Sequence, residues 1–199
     1  MTVLEEVLRR IQSDLQAAQF DFAVVGALAV SIHTEPRFTR DADLAVSVKD
    51  DKEAESLIYK LQSQGYVAQS TVEQEATGRL ATVRLVTPGQ AASGVVADLL
   101  FASSGIEPEI VAAADPLEVF PGVILPVARR GHLIALKVLS RDDRTRPQDV
   151  IDLRALLERV STEDLELARE SLRLIRARGY HRDRDLVVDF ERLLANLLH

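Results

Sequence analysis

Apolar positions recur at helical spacing through the first eighteen residues, with Leu4, Val7, Leu8, Ile11 and Leu15 on one stripe, which predicts an amphipathic helix over residues 2–18. The period then changes. Phe22-Ala23-Val24-Val25 is a short unbroken apolar run, the pattern of a buried strand. Gly26 turns it into a small-residue helix from Ala27 to about His33, ended by Pro36. A second strand is expected over Asp43–Val48 and a helix over Lys52–Gln64, closed by Gly65. Three further strands follow at Tyr66–Ser70, Leu80–Val86 and Val95–Phe101, with turns at Gly78 and at Pro88-Gly89. Ile106–Ala113 has the pattern of a short helix and Val123–Val127 that of a last strand. From Arg129 onward the pattern is helical only, with apolar stripes over Gly131–Ser140, Pro147–Val160, Thr162–Arg178 and Asp183–Leu198. Thr162 is the expected N-cap of the third and Gly179 its stop. The predicted class is α+β: a mixed sheet with flanking helices over residues 1–128, followed by an α-helical C-terminal part over residues 129–199.

Composition narrows the picture. Apolar residues at 47% and charged residues at 28% describe a folded chain with a core, not a disordered one. Cysteine is absent, which removes disulfides and thiolate metal sites and fits a cytoplasmic protein. Met1 to Glu6 lacks the basic and apolar regions of a signal peptide, and no apolar run approaches a membrane span, so no membrane partner is expected. The net charge of −7 argues against indiscriminate nucleic-acid binding, though it leaves room for a local basic groove. With 5% aromatic residues and no tryptophan, a base-stacking platform is not expected.

Three aspartates carry the candidate chemistry. Asp41 and Asp43 stand two positions apart, so in a strand both side chains point the same way and can share a divalent metal. Asp98 sits in Val95-Val96-Ala97-Asp98-Leu99-Leu100-Phe101, where an unpaired carboxylate costs several kcal/mol and calls for a cation, strong donors or a wet cleft. Beside Asp41 and Asp43 it completes a three-carboxylate cluster suited to Mg²⁺, which takes its remaining ligands from water and phosphate. Three carboxylates can hold two ions, one at the leaving group and one at the attacking hydroxyl; Asp98 is the candidate for the latter. The plainer reading is a loop aspartate with Arg40 as partner for the pair, and an ion pair with Arg84 on a neighbouring strand for Asp98.

These residues resemble the nucleotidyltransferase superfamily, the polymerase-β-like fold. Its signature is a hydrophobic strand, Gly-Gly or Gly-Ser, a helix of about ten residues, an Asp-x-Asp pair and a third acid on a later strand. Gly26-Ala27, Asp41, Asp43 and Asp98 take those positions. The stretch from Pro36 through Arg37, Phe38, Thr39 and Arg40 to Leu44 looks most like the AbiEii/MenT group, nucleotidyltransferase toxins of bacterial toxin–antitoxin and phage-defence systems. Leu133-Ile134-Ala135-Leu136-Lys137 and Arg146-Pro147-Gln148-Asp149-Val150-Ile151-Asp152-Leu153 look like its helical lysine and its basic-plus-acidic stretch, so the resemblance spans roughly residues 20–158. One departure stands out. Ala27 replaces the usual second Gly or Ser, which keeps a backbone N–H at a helix N-terminus for phosphate but loses a hydroxyl contact.

The resemblance implies NMP transfer from an NTP to a hydroxyl, with Mg²⁺ (or Mn²⁺) held by Asp41, Asp43 and Asp98. Gly26, Ala27 and Lys137 are the expected triphosphate residues, with Arg40 and Asp149 also on the substrate side. The implied acceptor is RNA, such as the tRNA 3′ end, or a protein, and the implied partner is a cognate antitoxin. Two other readings share the same residues: a small-molecule nucleotidyltransferase of the antibiotic-modifying kind, and a non-catalytic nucleotide- or partner-binding relative.

The remaining charges have plainer readings. Arg130, Lys137, Arg141 and Arg144 fall on one face if the helix is continuous, and Lys137 alone interrupts an apolar run. It is either the triphosphate lysine or a snorkelling surface one. Asp149 and Asp152, three apart, can orient it. Arg169, Arg173, Arg176, Arg178, Arg182 and Arg184 are expected to form a solvated face paired with Glu163, Glu166, Glu170 and Asp183. His33, His132, His181 and His199 share no metal-ligand spacing, and Ser31, Ser103 and Ser104 have no hydrolase motif.

Overall fold

In the computed structural model, which describes residues 2–35, 39–142 and 147–197, the N-terminal stripe forms helix α1 (Val3–Ala17) and buries Leu4, Val7, Leu8, Ile11 and Leu15. Thr2 caps it by accepting from the Glu5 backbone N–H. Strand β1 (Phe22–Val24), helix α2 (Gly26–His33), strand β2 (Asp41–Val46) and helix α3 (Asp51–Ser63) follow as the pattern predicts. Strand β2 starts two residues earlier than expected, because Asp41 is already in register with Val96 of a neighbouring strand. The expectations at Pro36, Arg37, Phe38, Arg144, Arg146, Leu198 and His199 lie outside the described residues.

Strands β3 (Val67–Glu73), β4 (Leu80–Val86) and β5 (Val96–Leu100) lead to the short helix α4 (Glu107–Ala112). One strand was not predicted. Strand β6 (Asp115–Phe120) precedes β7 (Val123–Val127) and forms the sheet's far edge. Its Pro116 reads as a strand breaker, but an edge strand pairs on one side only and tolerates proline. Among the described residues, seven strands lie in the order β3-β4-β5-β2-β1-β7-β6, mixed in direction: β2 runs parallel to β5, and β1 parallel to β7 but antiparallel to β2.

Helices α5 (Arg130–Ser140), α6 (Pro147–Leu157), α7 (Thr162–Ala177) and α8 (Leu186–Leu197) complete the chain. Ser161, not Thr162, is the N-cap of α7, in a reciprocal capping box with Asp164. Helix α8 begins at Leu186, not at Asp183, because Arg182 and Asp183 have φ of 52° and 55°, outside any right-handed helix. The basic face proposed from Arg130 to Arg144 is not continuous: α5 ends at Ser140, and Arg141 already has an extended ψ of 124°. Arg130 is instead structural, donating to the carbonyls of Leu156 and His33. Nor do the C-terminal arginines pair chiefly within their helix. Arg169 reaches Glu191, Arg176 Asp185, Arg178 Glu109 and Arg184 Asp189.

The hydrophobic cluster runs unbroken from the sheet into these helices, through Val127, Leu133, Leu156, Leu172 and Phe190. Its consequence for function is placement: α5 and the α7–α8 connection lie across a cleft from the central strands. Among the described residues, no helix is long and apolar enough to cross a membrane.

Candidate active site

Cross-strand register builds the site. Arg84 of β4 is opposite Asp98 of β5, and Asp98 is opposite Asp43 of β2, so the three stand in one row across neighbouring strands. Residues in register on adjacent strands face the same way. Alternation along β2 gives the rest: Ala42 is fully buried, while Asp41 and Asp43 on the other face are partly accessible.

Gly26 closes the row. The strand-to-helix turn takes φ of +62° there, and a Cβ at that point would sit 1.9 Å from the Asp43 Oδ2 atom. Only glycine offers both the backbone freedom and the room. The turn is pinned by the Val25 N–H, which donates to the Asp43 carbonyl at 2.8 Å, and the backbone N–H of Ala27, two residues on, is a hydrogen-bond donor to the Asp43 carboxylate.

Burial, together with the like charges of Asp98 and Asp41, lifts the Asp43 carboxyl to about 6. Lys137 and the Ala27 hydrogen bond pull it down by less. Asp98, 12% exposed, engages Arg84 bidentately: Nε donates to Oδ1 at 2.8 Å and Nη2 to Oδ2 at 2.7 Å. That pairing, one of the two outcomes open in the sequence, holds the guanidinium protonated more firmly than usual.

Lys137 projects from α5 toward the row. Its Nζ lies 2.7 Å from Asp149 and 2.7 Å from Asp152, so the two α6 aspartates orient it. The Ser140 hydroxyl adds a bond of 2.9 Å to Asp149. The lysine is therefore largely covered and held by two buried carboxylates, not snorkelling.

A cleft of about 1150 Å³ collects most of these groups: Gly26, Ala27, Asp43, Asp98, Arg84, Lys137 and Asp149 all line it. Asp41 stands beside the cleft, near enough to raise Asp43, and Arg40 is an exposed residue just ahead of β2, outside the lining. Two further segments form walls that no sequence pattern places here. One is the β3–β4 hairpin, including Glu73 and Glu75; the other is the connection Gly179–Asp183, with His181 and Arg182. The second is clamped in place. Gly105, at φ +76°, lies flat against the Tyr180 ring, and Arg178 binds the Gly105 carbonyl and the Glu109 carboxylate. Gly179 (φ +84°), legible in the sequence as a helix stop, opens this segment, whereas no sequence pattern announces the left-handed pair Arg182 and Asp183.

Among the described residues no three carboxylates or imidazoles close into a cage for an ion, since Asp98 is turned onto Arg84. Mg²⁺ does not need such a cage; one or two carboxylates suffice beside water and phosphate oxygens. Asp43, crowded by two like charges and packed against the Gly26 turn, fits that requirement together with Asp41.

A mixed sheet bearing a glycine turn, an acid pair and a third acid in register is the construction of a nucleotidyltransferase. Solved structures agree at the level of fold. An antigenic nucleotidyltransferase-like protein from Paracoccidioides brasiliensis has a TM-score of 0.57 at 16% identity, over 97% of this chain and 88% of that one. ANT(2″)-Ia in complex with adenylyl-2″-tobramycin has a TM-score of 0.57 at 14% identity, over 89% of this chain and 99% of that one. A comparison with curated protein sequences gives no match. Residues 7–197 match the family described as nucleotidyl transferase AbiEii toxin, type IV toxin–antitoxin system, and the chain belongs to that family.

Proposed function

We propose that this protein transfers an NMP from an NTP to a hydroxyl acceptor with Mg²⁺ (or Mn²⁺), and acts as the toxin of a toxin–antitoxin pair. The observation that carries this reading is the row Arg84–Asp98–Asp43–Gly26, with Lys137 across the same cleft. Asp41 and Asp43 are the residues that would hold the ion, and Asp98 the third acid. When bound, Mg²⁺ neutralises triphosphate charge and makes the attacking hydroxyl more acidic. The chain's own groups do the rest. The N-terminus of α2 directs backbone N–H groups at phosphate, Lys137 meets the triphosphate, and the acceptor oxygen bonds to the α-phosphorus as the bond to pyrophosphate breaks. RNA, such as the tRNA 3′ end, or a protein is the acceptor in this reading.

A second reading has its own support. The cleft lining carries Glu73, Glu75 and Asp183 alongside Arg84, Lys137 and Arg182, a mixed charge and not a basic groove, and the chain shares its fold with ANT(2″)-Ia, solved with an adenylylated tobramycin. That favours a small, non-nucleic acceptor. One experiment addresses both: each α-labelled NTP is incubated with purified protein and cell RNA, cell protein or aminoglycosides in turn. Label on RNA or protein supports the first reading, and label on the small molecule the second. No transfer to any acceptor, or transfer that persists in Asp41→Ala, refutes both.

A further inference from the structure

We propose that Arg84 is a positioning residue for Asp98: it serves as the resident cation of the metal-free site, and a divalent ion delivered with nucleotide displaces it. The inference rests on the metal-dependent reading of the site and extends it to a residue outside the nucleotidyltransferase signature.

The argument starts from an asymmetry. Asp98 is 12% exposed on an otherwise apolar strand, so its charge needs a counter-ion at all times. Arg84 is 42% exposed and lines the cleft, so its guanidinium can leave the pair and still find water or phosphate. While the pair stands, both Asp98 oxygens are engaged, at 2.8 and 2.7 Å. A divalent ion arriving alone meets Asp41 and Asp43 in the row and must compete with a bidentate guanidinium for the third carboxylate. An ion arriving on a triphosphate brings negative charge that offsets both the ion and the released arginine. Metal and nucleotide binding are thereby coupled through one side chain, and the coupling is reciprocal. A lysine in place of Arg84 keeps the charge but not the fork that holds both oxygens at once.

The test is a titration of the full-length protein with Mn²⁺ alone, following free Mn²⁺ by electron paramagnetic resonance. Arg84→Met, which opens Asp98, is expected to bind Mn²⁺ about tenfold more tightly than the unmodified protein, the scale of one half-exposed bidentate pair. Arg84→Lys is expected to fall between them, and it supplies the comparison if the methionine variant does not fold. A saturating non-hydrolysable NTP analogue should shrink the gap. Unchanged or weaker Mn²⁺ binding in Arg84→Met, or in Arg84→Lys where that is the usable variant, overturns the role. Asp43→Asn separates the two levels. If nucleotide-supported Mn²⁺ binding survives it, the carboxylate site itself is refuted; if binding is lost there but Arg84→Met gains nothing, only the arginine's role fails.

Discussion

Replacing Lys137 by methionine keeps the aliphatic stem and removes one charge from a place where three meet. The ammonium lies 2.7 Å from Asp149 and 2.7 Å from Asp152, with the three side chains only 15%, 8% and 2% exposed. Removing one partner of a buried ion pair costs about 3–5 kcal/mol, because the charge left behind has neither water nor a counter-ion. Ser140 still donates to Asp149 and Gln148 to Asp152, which puts the expected loss at the lower end, about 3 kcal/mol. For a chain of this size that is a fall in Tm of roughly 6–12 °C. The combined variant Lys137→Met, Asp149→Asn, Asp152→Asn removes the stranded charges and should recover most of the loss in urea or thermal melts. Nucleotide binding, measured by calorimetry, should not recover with it, since the cleft still lacks the cation that meets the triphosphate. A Tm for Lys137→Met within about 2 °C of the parent refutes the buried-pair argument. Parental NTP affinity in the stable combined variant refutes the lysine's role in the cleft.

Three other perturbations follow from the same geometry. Gly26→Ala places a Cβ 1.9 Å from the Asp43 Oδ2 atom at φ +62° and should destabilise by about 1–3 kcal/mol while abolishing nucleotide binding; normal calorimetric binding would show that the turn does not need glycine. Asp43 is lifted from 3.8 to about 6 in the fold, so the native state holds its proton more tightly and the carboxylate destabilises at pH above 6. Asp43→Asn should therefore stabilise the metal-free protein at pH 7.5 by up to about 3 kcal/mol, with the gain fading toward pH 4, while eliminating transfer; urea melts across that range would expose the opposite trend. His132 is 2% exposed, its Nδ1 has no hydrogen-bond partner among the described residues, and it is lowered from 6.5 to about 4, chiefly by burial. The unfolded chain takes up its proton first, so His132 withdraws about 3 kcal/mol as pH falls from 6.5 to 4, and His132→Leu should flatten that part of the stability profile.

Local pattern was enough to find most elements. The amphipathic stripe of α1, the apolar runs of β1, β4, β5 and β7, and the turn at Gly26 depend on near neighbours in the chain, so their residues announce them. The misses have physical causes. Strand β6 carries Pro116 and exists because β7 offers it a partner. The start of α8 is set by two left-handed residues that nothing in the composition demands. The pairing of Arg169 with Glu191 and of Arg178 with Glu109 spans elements, where i,i+4 reasoning does not reach.

For the site, the sequence by itself determined the inventory. A glycine at the end of an apolar strand, two aspartates of one parity and a third in an apolar run are chemical anomalies visible without coordinates. Their family likeness holds across residues 7–197. Only the tertiary structure decided how those groups are spent. Strand register put Arg84, Asp98 and Asp43 in one row, and helix packing put Asp149 and Asp152 on Lys137. It also brought Gly179–Asp183 to the rim of the cleft. The reason is range: a side chain's type follows from its codon, but its counter-charge comes from residues tens of positions away, and only packing selects among the many that could serve.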